Sequence, residues 1–190
     1  MLYLAIIIGG AIFIAIFNSI VGFSLELLLT NLLFTAIGVI AIIAADGIEA
    51  LIIRRLTPKK WYAPESAFFT VSDRERKIYT KMKIKKWKDS VPELGMFTGF
   101  SKSEIKSADD SEYLSRFLLE SNYGVIIHIA NAVFGFVIAF IPFCSAPSIW
   151  IPIYAVNFVL SILPVFILRY TSHTLNKLYK KTLRAKKESK

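Results

Sequence analysis

The chain is constrained most by four apolar runs that alternate with polar segments. Each run is long enough, or nearly so, to cross the about 30 Å hydrocarbon core of a bilayer as a helix of roughly 20 residues. The first run has no basic residue before it and no convincing cleavage site, so we expect it to be retained rather than removed as a signal peptide. The sequence therefore predicts an all-α integral membrane protein with four transmembrane helices, at residues 2–20, 31–53, 124–143 and 149–168.

The composition supports a membrane protein and limits the chemistry. Hydrophobic residues make up 55% of the 190 positions, which is too apolar for an ordinary soluble domain. The sequence contains no metal-type cluster of Cys and His, and a single cysteine, Cys144, excludes an intramolecular disulfide. We therefore interpret residues 1–190 as a single membrane domain without a metal and without a bound cofactor.

The basic residues are confined to two polar segments. All 23 Lys and Arg residues lie in the long loop 54–123 or in the tail 169–190, and the short connections 21–30 and 144–148 contain none. Under the positive-inside rule, segments rich in Lys and Arg stay in the cytoplasm. The sequence predicts a multi-pass protein of the plasma membrane with a cytoplasmic loop, a cytoplasmic tail and both termini inside.

The long loop is expected to fold onto the membrane rather than to be a free tether. Residues 73–88 contain basic side chains with apolar ones among them, which predicts a basic amphipathic helix that ends near Ser90. We favour attraction to an anionic leaflet over nucleic acid binding, because no recognition motif accompanies these charges. Further on, Asp109 and Glu112 form a start similar to a capping box. It precedes an apolar stripe of Tyr113, Leu114, Phe117 and Leu118.

The loop also carries a string that resembles a known family. Residues 74–95 read RERKIYTKMKIKKWKDSVPELG and resemble the signature of the glycosyl-4,4'-diaponeurosporenoate acyltransferase family, whose members are small bacterial membrane proteins. The likeness continues downstream of this signature. The positions that fit are Glu75, Ile78, Tyr79, Ile84, Trp87, Lys88, Asp89, Pro92, Glu93 and Gly95, followed by Glu120, His128, Asn157, Arg169 and Tyr170.

This resemblance implies an O-acyltransferase of a bacterial plasma membrane. The expected reaction moves an acyl group onto a sugar hydroxyl of a glycosylated carotenoid or, in divergent members, onto another lipid. We expect an acyl-CoA or an acyl-carrier protein as the donor, membrane lipids and a lipid-like acceptor as partners, and no nucleic acid. The candidate substrate-binding residues are Trp87, Lys88, Asp89, Glu93, Asn157 and Arg169.

Polar and ionisable side chains lie inside the predicted spans, where their cost makes them functional candidates. Glu49 and His128 each lie about four residues from the cytoplasmic end of a span, and Asp46 and Asn131 lie about one turn deeper. Glu120, His128 and Asn131 share one face of the third span. The sequence therefore predicts a polar pocket just below the cytoplasmic face.

Acyl transfer to a hydroxyl requires a base that removes the hydroxyl proton, and neutral His is the usual choice near neutral pH. We assign this role to His128. Glu120 or Glu49 is expected to orient its imidazole, and Asn131 is expected to donate a hydrogen bond to the developing oxyanion. We expect direct transfer, because the sequence contains no G-x-S-x-G nucleophile motif.

Three alternatives stay open at this stage. The polar residues of the spans also fit interhelical hydrogen bonding without catalysis. A small multidrug-type transporter also has four short helices and a membrane Glu, but the long basic loop argues against it. A non-catalytic scaffold or accessory subunit is favoured by residues 120–125, ESNYGV, which depart from the family pattern. The sequence does not determine the oligomeric state.

Overall fold

The structure, a computed structural model, describes residues 5, 8–10, 12–14, 16–17, 20, 25–91 and 105–188. Within 25–91 and 105–188, the α-helices are α1 (Leu25–Leu56), α2 (Asp73–Lys81), α3 (Ile84–Trp87), α4 (Ser111–Phe134) and α5 (Pro147–Glu188). Short 3-10 segments lie at Lys59–Tyr62, Ala67–Phe69, Lys88–Ser90, Gly135–Phe140 and Pro142–Cys144. The described residues include no strand, which confirms the all-α prediction.

Among the described residues, three helices are long and apolar enough to cross a membrane. They lie at Leu28–Leu56, Ser111–Phe140 and Ile149–Glu188. They correspond to the second, third and fourth predicted spans. The predicted first span, 2–20, is described only at scattered positions, which are helical, so a fourth crossing stays a prediction. Large apolar side chains of α1 are exposed rather than packed, as expected for contact with lipid; examples are Leu33, Ile40 and Ile43.

The last helix continues past the predicted end of the fourth span, at 168, into the predicted tail, 169–190. α5 continues from Pro147 to Glu188. The sequence predicted that the fourth transmembrane span ends at 168, because basic residues begin at Arg169. A helix continues, however, as long as one of its faces can pack, and Leu175 is fully buried beyond that point. The basic tail is therefore helical through Glu188.

The contacts divide the chain into two compact units. The apolar unit consists of Met1–Ile52 and Ile127–Ile162, and the basic unit consists of Ile53–Ile126 and Leu163–Lys190. All 23 Lys and Arg residues belong to the basic unit. The sequence alone groups the whole chain into one membrane domain, whereas the contacts divide it where the charge changes.

Close approach of helices forms the core of the apolar unit. Ile42 on α1, Ile138 and Cys144 after α4, and Ile153 on α5 are buried in one cluster. Gly38 permits this approach, since a Cβ there would lie 2.7 Å from Ile153 Cδ1 and 3.2 Å from Cys144 Sγ. Small residues at such crossings are typical of membrane helix interfaces.

The basic unit has a core between α4 and α5. Leu114, Phe117 and Leu118 on α4 are buried together with Leu175 on α5. Tyr113 packs against the same cluster. The predicted apolar stripe at the start of α4 is therefore confirmed.

The cap of α4 differs from the predicted one by one residue. Asp110 Oδ1 accepts hydrogen bonds from the backbone N–H groups of Glu112 and Tyr113, at 2.8 and 3.2 Å. Asp109 was predicted for this position. Both aspartates precede the helix, so the sequence shows that a carboxylate cap is available but not which of the two side chains reaches the free N–H groups.

The predicted helix over 73–88 is interrupted in its middle. Lys83 adopts a left-handed conformation with φ 55° and ψ 35°, between the end of α2 and the start of α3. The interruption turns the chain so that Ile84 is fully buried beside Val71 and Tyr79. Burial of an isoleucine stabilises by roughly 1.5–3 kcal/mol, which offsets the about 1–2 kcal/mol cost of a left-handed residue.

Candidate functional site

The apolar unit contains a polar cluster that joins α1, α4 and α5. Asn157 Nδ2 donates to Asp46 Oδ1 at 3.5 Å and to the Asn131 backbone carbonyl at 3.4 Å. With its amide oriented to satisfy its neighbours, Asn131 donates to Glu49 Oε2 at 3.2 Å and to the Ile127 carbonyl at 3.0 Å. We call Asp46, Glu49, Asn131 and Asn157 the polar cluster.

No Lys or Arg of the apolar unit neutralises the two carboxylates of the polar cluster, because the sequence of that unit contains none. Ionisable groups within a bilayer are costly. Hydrogen bonds between membrane helices contribute only about 0.6 kcal/mol on average. Stability alone is therefore a poor explanation for two carboxylates held by amides, and the polar cluster is a candidate for function.

A small cleft in the same unit is lined by part of the polar cluster. Its volume is about 40 Å³, and Asp46 and Asn157 supply its polar groups. Apolar side chains of α1 and α5, such as Ile42, Ile43 and Ile153, form much of the remaining wall. Small-molecule sites usually have this composition but volumes of about 300–1,000 Å³, so the cleft has room for only a few water molecules.

His128, the predicted base, lies on α4 three residues before Asn131 and is half-buried. Residues three apart on a helix are neighbours on its surface. The predicted oxyanion donor, Asn131, is in a different situation. Both N–H groups of its amide already have acceptors, in Glu49 and Ile127. Donation to an oxyanion therefore requires Asn131 to change one of these partners.

In the basic unit, residues of the signature contact one another. Arg169 on α5 makes two hydrogen bonds to Glu75 on α2, from Nε to Oε1 at 2.5 Å and from Nη2 to Oε2 at 2.9 Å. The Tyr79 hydroxyl donates to the same carboxylate. Two parallel bonds from a guanidinium to a carboxylate are among the stronger and more directional polar contacts. We call Glu75, Tyr79 and Arg169 the signature clasp.

The signature clasp shifts the acidity of its members away from neutrality. The hydrogen bond from Arg169 holds the pKa of Glu75 below its usual range, against the opposing effect of partial burial. Burial, followed by the hydrogen bond to Glu75, raises the pKa of Tyr79 to about 12. Glu75 is therefore ionised and Tyr79 neutral near neutral pH. These properties fit a structural contact better than proton transfer.

A second contact joins α2 and α5 beside the clasp. Arg76 Nη1 donates to the Tyr170 carbonyl at 3.2 Å and to Thr174 Oγ1 at 3.0 Å. The Arg76 guanidinium carbon also lies 4.2 Å from the centre of the Tyr170 ring. Tyr170 and Trp87 pack beside the buried Ile84. The signature and the downstream family position Tyr170 thus build one packed region of the basic unit.

Other predicted substrate-binding residues lie at the end of α3. Trp87 Nε1 donates to the Met82 carbonyl at 3.1 Å. Lys88 Nζ pairs with Asp89 Oδ1 at 2.6 Å. An anionic ligand of Lys88 would therefore compete with Asp89. Glu93 lies outside the described residues.

Glu120 belongs to the basic unit, where its carboxylate binds Arg54 with an Nη2 to Oε2 distance of 2.8 Å. Arg54 in turn lies 5.2 Å from the centre of the Tyr123 ring, and Tyr123 stacks on Tyr62 with 3.9 Å between ring centres. Glu120 is thus tied to an arginine of its own unit.

Sequence reasoning identified the acids of the site more readily than their partners. For Asp46 it predicted only the depth in the membrane. The i, i+3 spacing of Asp46 and Glu49 also indicates that both side chains lie on one face of the helix. Arg54 and Arg76 were counted as topological charges without a partner. No one-dimensional signal indicates which of many arginines in a basic loop pairs with which acid, so the contacts of Arg54 and Arg76 required the structure.

Comparison with known proteins agrees with the resemblance found in the sequence. The model of the family described as glycosyl-4,4'-diaponeurosporenoate acyltransferase, CrtO, matches residues 58–181. No curated protein and no solved structure matches the chain. The matched segment covers well over half of the chain and includes the signature clasp, Glu120, His128 and Asn157. The family's description implies an acyltransferase of carotenoid biosynthesis, and the three apolar helices are consistent with a membrane protein. This chain belongs to the glycosyl-4,4'-diaponeurosporenoate acyltransferase family.

Proposed function

We propose that this protein transfers a fatty acyl group to a hydroxyl of a glycosylated carotenoid, or of another lipid, at the cytoplasmic face of a bacterial plasma membrane. The observation that carries the proposal is the polar cluster, in which Asp46 and Glu49 contact amides in a unit without Lys or Arg. Family membership supports the reaction class.

His128 is the general base of the proposed reaction. Its neutral imidazole takes the proton of the acceptor hydroxyl while the oxygen attacks the carbonyl carbon of a thioester, carried by coenzyme A or by an acyl-carrier protein. The tetrahedral intermediate then expels the thiolate, which receives the proton from the imidazolium. One ester bond forms, one thioester bond breaks, and His128 returns to its neutral form.

Asn157 is better suited than Asn131 to stabilise the oxyanion. The hydrogen bonds of its amide are long, at 3.4 and 3.5 Å, whereas those of Asn131 measure 3.0 and 3.2 Å. A long, weak hydrogen bond is readily exchanged for a shorter one to a charged oxygen. In this proposal Asn157 turns to the oxyanion, while Glu49 keeps Asn131 in place instead of orienting the imidazole.

The residues of the basic unit divide between two roles in this proposal. Trp87, Lys88 and Asp89, with Glu93, stay candidates for contact with the donor at the membrane surface. Arg169 is a positioning residue, because both of its hydrogen bonds to Glu75 hold the signature in place. Glu120 is likewise held by Arg54.

Replacing the base tests the proposal directly. Loss of a positioned general base typically lowers the rate about 100- to 10,000-fold. His128→Gln should therefore abolish acyl transfer, measured by mass spectrometry of lipid products in membranes with matched protein levels. Ile129→Ala is the control, because Ile129 is the neighbouring, exposed residue of α4 and its truncation should leave transfer nearly unchanged.

The same experiment separates catalysis from helix packing. A histidine that only links helices would, on removal, leave turnover within a few-fold, because such hydrogen bonds contribute about 0.6 kcal/mol on average. Near-normal product from a folded, abundant His128→Gln protein would reject the catalytic role and shift attention to Glu49.

A non-catalytic scaffold is the second candidate function. The observation in its favour is the signature clasp, since Glu75, Tyr79 and Arg169 bind one another. Lipid and carotenoid profiles of cells with and without the gene distinguish the two candidates. An acylated product that disappears with the gene but persists with His128→Gln supports the scaffold, whereas loss in both cases supports the enzyme.

The membrane side of the reaction is tested by labelling. Ala108 is exposed in the basic unit, and Ala146 is exposed in the connection before α5. In a Cys144→Ser background, Ala146→Cys should react with a membrane-impermeant thiol reagent in intact cells, and Ala108→Cys should react only after lysis. Labelling of Ala108→Cys before lysis would overturn the cytoplasmic location of the loop.

A further inference from the structure

α2 and α5 border an open groove in the basic unit that the signature clasp does not use. Its volume is about 520 Å³. The lining residues are Asp73, Arg76, Lys77, His173, Thr174 and Lys177. None of these residues belongs to the predicted site, and the second of the chain's two histidines is among them.

Positive charge dominates this groove. Arg76, Lys77 and Lys177 are cationic, and Asp73 is the acid among the lining residues. Asp73 Oδ1 lies 3.8 Å from Lys177 Nζ and 3.5 Å from His173 Nε2. The Asp73 side chain is 82% exposed, so it can leave Lys177 and His173 and be solvated by water.

Arg76 is held in a fixed orientation at the groove. Its bonds to Tyr170 and Thr174 both start from Nη1, and its guanidinium stacks on the Tyr170 ring. A guanidinium has five N–H donors, of which Nη1 carries two. An arginine already ordered by its own protein loses little side-chain entropy when it binds an anion.

His173 is also oriented by the protein. Its Nδ1 lies 3.2 Å from the Val71 carbonyl oxygen. A carbonyl oxygen accepts and cannot donate, so Nδ1 carries the hydrogen of this bond. The other ring nitrogen, Nε2, is the one on the side of Asp73. The side chain is only 11% exposed, which indicates a built position rather than a mobile surface residue.

We propose that this groove binds a phosphate group, carried either by the phosphopantetheine arm of an acyl donor or by an anionic lipid headgroup. Arg76, Lys77 and Lys177 supply the positive charge, and Asp73 occupies the site until phosphate displaces it. Cationic side chains near a fixed guanidinium are the usual protein ligands of phosphate. Only the donor source rests on the proposed acyl transfer; the groove itself stands on the basic unit alone.

Binding of two ligands that differ by one phosphate tests the groove. The full chain in phosphatidylcholine nanodiscs is titrated calorimetrically with 4′-phosphopantetheine and with pantetheine. The phosphorylated compound should bind more tightly. Lys77→Gln and Lys177→Gln should each weaken its binding by about fivefold, as expected for loss of an exposed charge contact. Lys187→Gln, an equal charge change about ten residues further along the same helix, should have little effect.

Asp73→Asn provides a variant of the opposite sign. It removes the competing carboxylate, so phosphate affinity should rise about threefold to fivefold. General loss of folding cannot produce tighter binding. An unchanged or weaker affinity of Asp73→Asn would contradict the proposal that Asp73 competes with phosphate.

A second experiment, which varies the lipid, distinguishes the two sources of phosphate. Thermal stability is measured in nanodiscs with increasing phosphatidylglycerol. Stabilisation that Lys77→Gln and Lys177→Gln reduce supports a headgroup, and weaker phosphopantetheine binding in these variants supports the donor. If the variants change neither measurement, the groove is not a phosphate site, whether or not acyl transfer occurs. Phosphate binding in a protein that transfers no acyl group would instead reject the proposed function and keep the groove.

Discussion

Glu49 in the apolar unit and Glu75 in the basic unit are both glutamates, but the hydrogen-bond donor is neutral for Glu49 and positively charged for Glu75. Glu49 accepts a hydrogen bond from the neutral amide of Asn131. Glu75 accepts two hydrogen bonds from the charged guanidinium of Arg169. The amide can also donate to a neutral acid or amide oxygen, while the charged guanidinium gains most from a negatively charged partner. The identity of the partner therefore indicates whether the charge of a carboxylate is needed for folding.

The comparison extends to the other paired acids. Asp46 contacts Asn157 in the apolar unit, and Glu120 contacts Arg54 in the basic unit. In the basic unit, each pair joins segments distant in sequence and thereby organises the loop. In the apolar unit, the partners are neutral amides, which do not require a charge on the carboxylates. We infer that folding requires the charge of the acids in the basic unit but not the charge of the acids in the apolar unit.

The largest effect on stability is expected from Glu75→Gln. It leaves Arg169 without its counter-charge, and removing one partner of a buried pair costs about 3–5 kcal/mol. Side-chain exposures of 25% for Glu75 and 18% for Arg169 weaken the effect, so we expect about 2 kcal/mol. Thermal unfolding in detergent measures it, with Asp109→Asn, an exposed acid of the same unit, as the control.

A double variant checks that this cost comes from the ion pair. Glu75→Gln combined with Arg169→Gln should be more stable than the sum of the two single changes indicates, because it removes both charges. Strict additivity would show that Glu75 and Arg169 do not depend on each other, and the structural reading of the signature clasp would fail.

The next effect concerns Gly135, which faces the polar cluster. A Cβ at this position would lie 2.8 Å from Asn157 Nδ2 and 3.3 Å from Tyr154 Cδ2. Gly135→Ala should therefore displace Asn157 and cost about 1.5 kcal/mol through overpacking. Acyl transfer should fall by more than this loss of stability explains, because the displaced residue is the proposed oxyanion donor.

Gly47→Ala is the matched control for Gly135→Ala. Gly47 lies on α1 between Asp46 and Glu49, and no atom lies within 4 Å of a Cβ built there. Alanine should stabilise the helix by about 0.5–1 kcal/mol. Equal losses of activity in the two variants would indicate that the approach at Gly135 has no special relation to Asn157.

The sequence predicted those parts of the fold that depend on composition and on local pattern. Three predicted spans correspond to membrane-length helices of the structure. The stripe ending at Leu118 is buried as expected. The interruption at Lys83 was not predicted, because a lysine with positive φ carries no sequence signal and is held by the burial of Ile84.

The acids and amides of the candidate site could be predicted from the sequence, but their hydrogen-bond partners could not. Hydropathy identifies Glu49, Asn131 and Asn157, since polar residues stand out within apolar runs. It does not show that Asn131 is fully engaged and Asn157 loosely bound. The phosphate groove was missed for a related reason: His173 and Asp73 are 100 positions apart in sequence, and only the contact of α2 with α5 brings them together.

A smaller effect on stability is expected when the pH is lowered. Arg169 holds the pKa of Glu75 below its usual range in the folded protein. The folded state therefore binds this proton less readily than the unfolded chain. The contribution of the pair is fully present above the ordinary carboxyl pKa of about 4.3 and is lost as the pH falls through the lower, folded value.

Comparison of two variants isolates this contribution. Between about pH 6 and about pH 3, wild-type protein should lose more thermal stability than Glu75→Gln, since the variant lacks the titrating group. The rest of the acid sensitivity, from the other carboxylates, should be shared. The same loss in both proteins would show that Glu75 is not stabilised in its ionised form.

The smallest effect on stability, and the sharpest contrast, is expected from Glu49→Gln. It is the same substitution as Glu75→Gln, but its partner is the Asn131 amide, which can donate to a glutamine oxygen as well as to a carboxylate. The cost should be about 0.6 kcal/mol or less, the average for a hydrogen bond between membrane helices. Thermal unfolding beside Glu75→Gln measures it. A loss as large as that of Glu75→Gln would mean that the charge of Glu49 is needed for folding. The distinction between acids whose charge folding requires, in the basic unit, and acids whose charge it does not require, in the apolar unit, would then be wrong.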